Sequence, residues 1–211
     1  MTVEMSLDQE PKEGTLVLVG FLGRGNTGDE VMLQVLFEAF SPRFDIAISL
    51  DKHGAHEGTK GWYPYTQARI FHQNDCNVTE RVHQPVGVLV GGGSLSLGFA
   101  AGIVLVGRSR RVPAALAGVD IWQPDADPHS PQRAALTTWL GLFDDVIPRT
   151  RRSLTGLRAL GLDPLYGADW ALRLPMDEAP DIVPDESRAL VVLREGLPGV
   201  AARTMPPGRM T

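Results

Sequence analysis

Seven consecutive residues, Thr15-Leu16-Val17-Leu18-Val19-Gly20-Phe21, carry almost no polar side chain and show no alternation. A strand with one wet face alternates apolar and polar residues, whereas a strand covered on both faces does not. The run is therefore expected inside a parallel sheet flanked by helices. A glycine-rich loop follows it. Asp29 to Phe40 then places Val31, Leu33, Val35, Leu36, Ala39 and Phe40 on a helical repeat, with Asp29 and Glu30 in the first turn. Strand, glycine loop and helix in this order constrain the chain more than any other feature in it.

The pattern recurs downstream. Phe44 to Leu50 reads as a second strand, stopped by Asp51-Lys52-His53-Gly54. From His53 to Gln84 the pattern weakens to irregular connection with one or two short elements, among them a short strand at Ala68 to Phe71. Val86 to Val90 is again a buried strand and runs into Gly91-Gly92-Gly93-Ser94. Beyond it we expect a helix over Leu97 to Gly107, a strand over Ala114 to Val119, and a helix opened by Pro131 and running through Phe143. A strand over Asp144 to Pro148, a helix over Ser153 to Gly161, and strands over Leu165 to Ala168 and Ala189 to Leu193 complete the series. This alternation predicts an α/β, three-layer, Rossmann-like parallel sheet. The expected organisation is a polar leader over 1–14, the Rossmann-like domain over 15–185, and the start of a second domain with an irregular tail over 186–211.

Composition narrows the function classes. Of 211 residues 43% are hydrophobic and 21% charged, which suits a soluble core rather than global disorder. The 20 Lys and Arg stand against 25 Asp and Glu, so no basic excess exists to hold a nucleic-acid backbone. Cys76 is the single cysteine, and no Cys/His spacing predicts a metal site, so a reduced, cytoplasmic compartment is expected. The start of the chain lacks a basic stretch followed by an apolar run, and does not read as a signal peptide. The longest apolar stretch, Phe99 to Val106, falls well short of the roughly 20 residues of a membrane span.

The first glycine loop supports two chemistries. Gly23-Arg24-Gly25-Asn26-Thr27-Gly28 has the dinucleotide-binding spacing, and Asp51 lies where an acidic residue would meet a ribose. An NAD(P)- or FAD-binding oxidoreductase domain is one expectation. Against it stand Asp29 and Glu30, because a pyrophosphate needs the positive end of the helix that these acids occupy. Like charges about 4 Å apart repel by ~1 to ~4 kcal/mol, depending on exposure. A neutral, hydroxyl-rich ligand escapes that penalty. A purely structural account also exists, in which Asp29 caps the helix and the glycines turn the chain. Gly91, Gly92, Gly93 and Ser94 close a second loop at a strand's carboxyl end, where ligands of parallel sheets bind.

With these motifs the chain resembles the polysaccharide pyruvyl transferase family. The resemblance rests on Gly20 to Glu30, with its Asn26-Thr27-Gly28-Asp29-Glu30 run, on Gly91-Gly92-Gly93-Ser94-Leu95, on Arg149 to Ser153 with Leu157 to Gly161, and on Gly167-Ala168-Asp169. It covers roughly residues 15 to 175. It implies a domain similar to the N-terminal half of the GT-B glycosyltransferases. It also implies a transferase of exopolysaccharide or cell-wall biosynthesis that moves pyruvyl from phosphoenolpyruvate onto a saccharide acceptor as a ketal. Phosphoenolpyruvate is then a donor substrate and no cofactor is implied. Such chemistry needs cations for the donor, an acid for its methylene carbon and a base for the acceptor hydroxyl.

The resemblance makes Arg149 the donor-contacting cation and Asp29 a catalytic candidate. It makes Gly25, Asn26, Gly28, Glu30, Gly91, Gly92, Gly93, Ser94 and Asp169 acceptor- or ligand-binding candidates. Thr150 departs from the family's Arg-Asp pair, and Arg149, Arg151 and Arg152 also read as a solvated helix start. Family members carry a second half, of which Ala189 to Arg194 resembles only the first strand. Weak or absent transfer by this chain, and a second chain or homo-oligomer as partner, are therefore expected. A non-catalytic binding module is the remaining alternative. Trp62, Tyr63 and Tyr65 suit either a sugar-stacking platform or loop packing, and His53 and His56 read as polar loop residues. No G-x-S-x-G motif supports hydrolase chemistry.

Overall fold

Six strands, all parallel, form one sheet in the order β3-β2-β1-β4-β5-β6. The structure is a computed structural model and describes residues 11–23, 26–50, 64–72, 75–91, 100–121 and 129–167. The elements run β1 (Thr15–Val19), α1 (Thr27–Phe40), β2 (Asp45–Leu50), β3 (Arg69–His72), α2 (Val78–Arg81), β4 (Pro85–Gly91), α3 (Ala101–Ser109), β5 (Ala114–Val119), α4 (Pro131–Leu140), β6 (Asp145–Pro148) and α5 (Arg151–Ala159). This is the α/β, three-layer, Rossmann-like fold expected from the alternation of apolar runs. Strand order reverses between β1 and β4, so the crevice of such a sheet opens at their carboxyl ends.

The continuous apolar runs are explained by burial on both faces. Val17 and Val19 of β1 join Val88, Val90 and Leu116 on one face, under Val78 of α2, Ile103 and Val104 of α3, Leu136 and Leu140 of α4, and Leu157 of α5. Leu18 points the other way and joins Ile46, Ile48 and Leu89 under Leu33, Leu36 and Phe37 of α1. Period-two geometry thus sends alternate apolar residues into two separate cores. Fully burying one such leucine stabilises by roughly 1.5–3 kcal/mol, so the sandwiched strands anchor the fold.

Several boundaries differ from the pattern-based expectation. The helix expected to end at Phe143 stops at Leu140, and Phe143 packs as a buried loop residue tilted against Trp139, their ring centroids 4.6 Å apart. Ser130 caps that helix by accepting the Arg133 amide at 3.2 Å, with Pro131 in its first turn. The strand expected from Leu165 is not formed over residues 165–167. Leu165 and Tyr166 are 60% and 55% exposed, so their apolar character has no core to enter. Helix α5 begins at Arg151 rather than Ser153, because Thr150 is its cap. Ala189 to Leu193 lies outside the described residues, as does the 185/186 boundary. Among the described residues no helix is long and apolar enough to cross a membrane.

Candidate functional site

The two strands that lead into the glycine loops, β1 and β4, are neighbours in the sheet. Val19 pairs with Val90 at the carboxyl ends of β1 and β4. One residue further on, a Cβ placed on Gly20 would lie 2.6 Å from the Gly91 carbonyl oxygen, so the backbones touch where any larger residue would not fit. Gly91 is described and buried at the end of β4, whereas Gly92, Gly93 and Ser94 lie outside the described residues. The same holds for Arg24, Gly25, Asp51, His53, His56, Trp62, Tyr63 and Asp169.

On the β1 side the loop is held by its own acids. Gly23 turns with φ +80°, a left-handed conformation that suits glycine. Its amide donates to Glu30 Oε1 at 2.9 Å, and the Tyr65 hydroxyl donates to Glu30 Oε2. Asn26 is the cap residue of α1, and its side-chain amide donates to Asp29 Oδ2. Asp29 is only 4% exposed, while Asn26 and Gly28 stand in solvent. A Cβ on Gly28 would meet nothing closer than the Asn26 Oδ1 at 3.9 Å. Negative charge in a first helical turn is favourable by roughly 0.3–1 kcal/mol. Both acids therefore remain at the helix start, as their sequence position implied, with hydrogen bonds that stitch the loop together.

Tyr65 does not form a sugar-stacking platform. It is buried in the cluster that also holds Leu18, Leu33 and Ile48. Burial, together with its hydrogen bond to Glu30, pushes its hydroxyl well above the usual tyrosine range. No protein-family model matches the chain, and no curated protein matches it.

A second cluster occupies the carboxyl ends of β5 and β6. A bulge at Gly118, where φ is +68°, shifts the register so that Val119 lies opposite Pro148. Asp120 and Arg149, the next residue of each strand, then meet. Arg149 Nε and Nη2 lie 3.2 and 3.1 Å from Asp120 Oδ2. The other carboxylate oxygen accepts from Thr150 Oγ1 at 2.7 Å and Ser153 Oγ at 3.0 Å. Ser153 Oγ in turn accepts the Ile121 amide at 3.0 Å, and Thr150 Oγ1 caps α5 through the Ser153 amide at 3.2 Å. Burial pushes the Asp120 carboxyl up, but the hydrogen bonds from Thr150, Ser153 and Arg149 outweigh it and hold the carboxyl below its ordinary range. A cavity of about 180 Å³ opens here, lined by Asp120, Ile121, Thr150, Arg152 and Ser153.

The solvated-helix account of Arg149, Arg151 and Arg152 thus divides. Arg151 and Arg152 are exposed on α5, whereas Arg149 is half-buried against Asp120. Thr150 caps α5 through its hydroxyl, a role that aspartate also performs well. Asp120 and Ser153 were not singled out as site residues from the sequence. The available signal was position: Asp120 directly follows a strand's carboxyl end.

A larger cavity, about 470 Å³, lies at the amino ends of the strands, lined by Leu16, Phe40, Phe44, Gly87, Leu89 and Ala115 among others. Its acidic rim is engaged: Glu13 by Arg43, and Asp144 by Arg108 and the Ala114 amide. It sits at the opposite edge of the sheet from Gly20 and Gly91, and no Lys or Arg is among its described lining residues.

Proposed function

We propose that this chain is a pyruvyl transferase-like protein whose β1/β4 crevice receives a saccharide acceptor and whose Arg149 faces the anionic end of phosphoenolpyruvate. The ketal product requires a donor held by cations and an acceptor held by neutral hydrogen-bonding groups. Those two requirements fall on two separate parts of the sheet's carboxyl edge. Asn26 and Gly28 offer the acceptor an exposed amide side chain and open backbone. Asp29, buried and bonded to Asn26, acts in this scheme by orienting that amide rather than by touching the sugar.

One observation carries the preference for a saccharide. The amide of Gly23, which a diphosphate in a glycine loop would need, already donates to Glu30. The strand order itself is that of dinucleotide-binding folds, which supports an NAD(P)- or FAD-binding domain as the second reading. Fold alone does not choose between them; the carboxylates at the helix start favour the first reading.

A thermal-shift comparison tests this. A neutral oligosaccharide at about 100 times its dissociation constant should stabilise the full chain by about 2.7 kcal/mol, and NADH at the same concentration should leave the melting temperature unchanged. Stabilisation by NADH alone would transfer the assignment to the second reading.

A further inference from the structure

The two oxygens of Asp120 have different partners. Two of the three guanidinium nitrogens of Arg149, Nε and Nη2, meet Oδ2, while Oδ1 is anchored independently by the hydroxyls of Thr150 and Ser153. Ser153 is 2% exposed and is itself fixed by the Ile121 amide, so the anchor is rigid. The carboxylate can therefore stay in place when the guanidinium leaves it. Neither partner is sealed from solvent: the side chains are 23% and 30% exposed for Arg149 and Asp120. Asp120 lines the 180 Å³ cavity, Arg149 is bonded to that lining, and Arg152 stands at the same cavity. A second guanidinium, that of Arg152, thus stands beside the pair among the described residues, and planar guanidinium groups suit a carboxylate or phosphate ligand.

We infer that Asp120 is an internal counter-anion for Arg149, which an incoming carboxylate or phosphate must displace, so that Asp120 sets the anion affinity of the site. The inference rests on the reading of Arg149 as the donor-contacting cation. Asp120 is a positioning residue: it acts through the guanidinium and fixes where that group waits. Its hydrogen bonds keep it a poor base, which separates it from the acid–base steps of the reaction.

Calorimetric titration of the full chain with inorganic phosphate and with phosphoenolpyruvate tests the inference in wild type, Asp120→Asn, Arg149→Gln and the double variant. Asparagine keeps an oxygen for Thr150 and Ser153 but removes the competing charge. Asp120→Asn should tighten both ligands on the order of tenfold. Arg149→Gln should weaken both at least tenfold, and the double variant should match Arg149→Gln, because Asp120 acts only through Arg149. Should Asp120→Asn fail to fold, the Arg149 Nε–H resonance of the wild-type chain, followed during phosphate titration, replaces it; a saturable shift supports displacement and an unmoved signal contradicts it. Unchanged or weaker binding by Asp120→Asn, with binding still lost in Arg149→Gln, overturns the role of Asp120 and spares that of Arg149. Equal binding by wild type and Arg149→Gln, or no binding by any form, overturns both.

Discussion

Glu30 accepts the backbone amide of Gly23 at 2.9 Å, seven residues back along the chain. That bond closes the β1–α1 loop on itself. The carboxylate sits where a bound anion would otherwise meet the loop, and its second oxygen takes the hydroxyl of Tyr65 from beneath. A side chain on the first turn of a helix has thereby become part of the loop's floor.

Removing that carboxylate takes an acceptor from both the Gly23 amide and the Tyr65 hydroxyl. Glu30→Ala should destabilise the chain by roughly 1–3 kcal/mol, the cost of weakening the bonding of a buried hydroxyl and a part-buried amide. Glu30→Gln, which keeps an oxygen acceptor, should cost about 1 kcal/mol or less. Chemical denaturation of both variants checks the order; equal losses would mean that charge rather than bonding holds the loop.

Tyr65 supplies a pH signature. Its hydroxyl is held above its ordinary value of 10.0, first by burial and then by Glu30. The folded form thus keeps a proton that the unfolded form releases, and stability falls as pH rises beyond about 10. Below that pH the contribution is fully present. Tyr65→Phe should flatten the alkaline limb of a stability–pH curve, and an unchanged limb would contradict the burial argument.

Asp120 predicts the opposite limb. Its folded-state carboxyl is held below 3.8, so its contribution is present at neutral pH and is lost as pH falls below about 4 through the folded value. Asp144 behaves alike, held down chiefly by the Ala114 amide despite some burial. Asp120→Asn should therefore reduce, without abolishing, the acid-side slope measured by denaturation between pH 2 and 5.

The glycines of the crevice divide into steric and functional cases. Gly20→Ala would force a Cβ to 2.6 Å from the Gly91 carbonyl and should cost roughly 1–3 kcal/mol. Gly28→Ala meets open space on a helical backbone and should stabilise the free chain by a few tenths to about 1 kcal/mol. If Gly28 is open for ligand approach, that same variant should bind oligosaccharide at least several-fold more weakly. Melting curves and titrations of the two variants read both effects; a Gly28→Ala chain with intact binding would remove Gly28 from the site.

The fold was legible wherever burial imposed a pattern. Val17 and Leu18 face different cores, and only a sandwiched strand makes both apolar in succession. Helix α2, Val78–Arg81, went unread because four residues are little more than one turn and show no period. Leu165 misled for the converse reason: apolar residues outside a core spell the same letters as a strand. Within the site, Asp29 and Glu30 were legible as a charged helix start, but their partners were not. Tyr65 reaches Glu30 across 35 positions and Asp120 reaches Arg149 across 29, and sequence spacing carries no trace of such pairs. Strand adjacency creates them.

The most direct test follows the Gly23 amide itself by NMR while the full chain is titrated with NADH and, separately, with a neutral oligosaccharide. The saccharide should produce saturable shifts at Asn26, Gly28 and Gly91 and leave the Gly23 signal in its Glu30-bonded position, with no saturable response to NADH. A saturable shift of the Gly23 amide by NADH, without one from the saccharide, would show that the dinucleotide displaces Glu30 and would contradict the account.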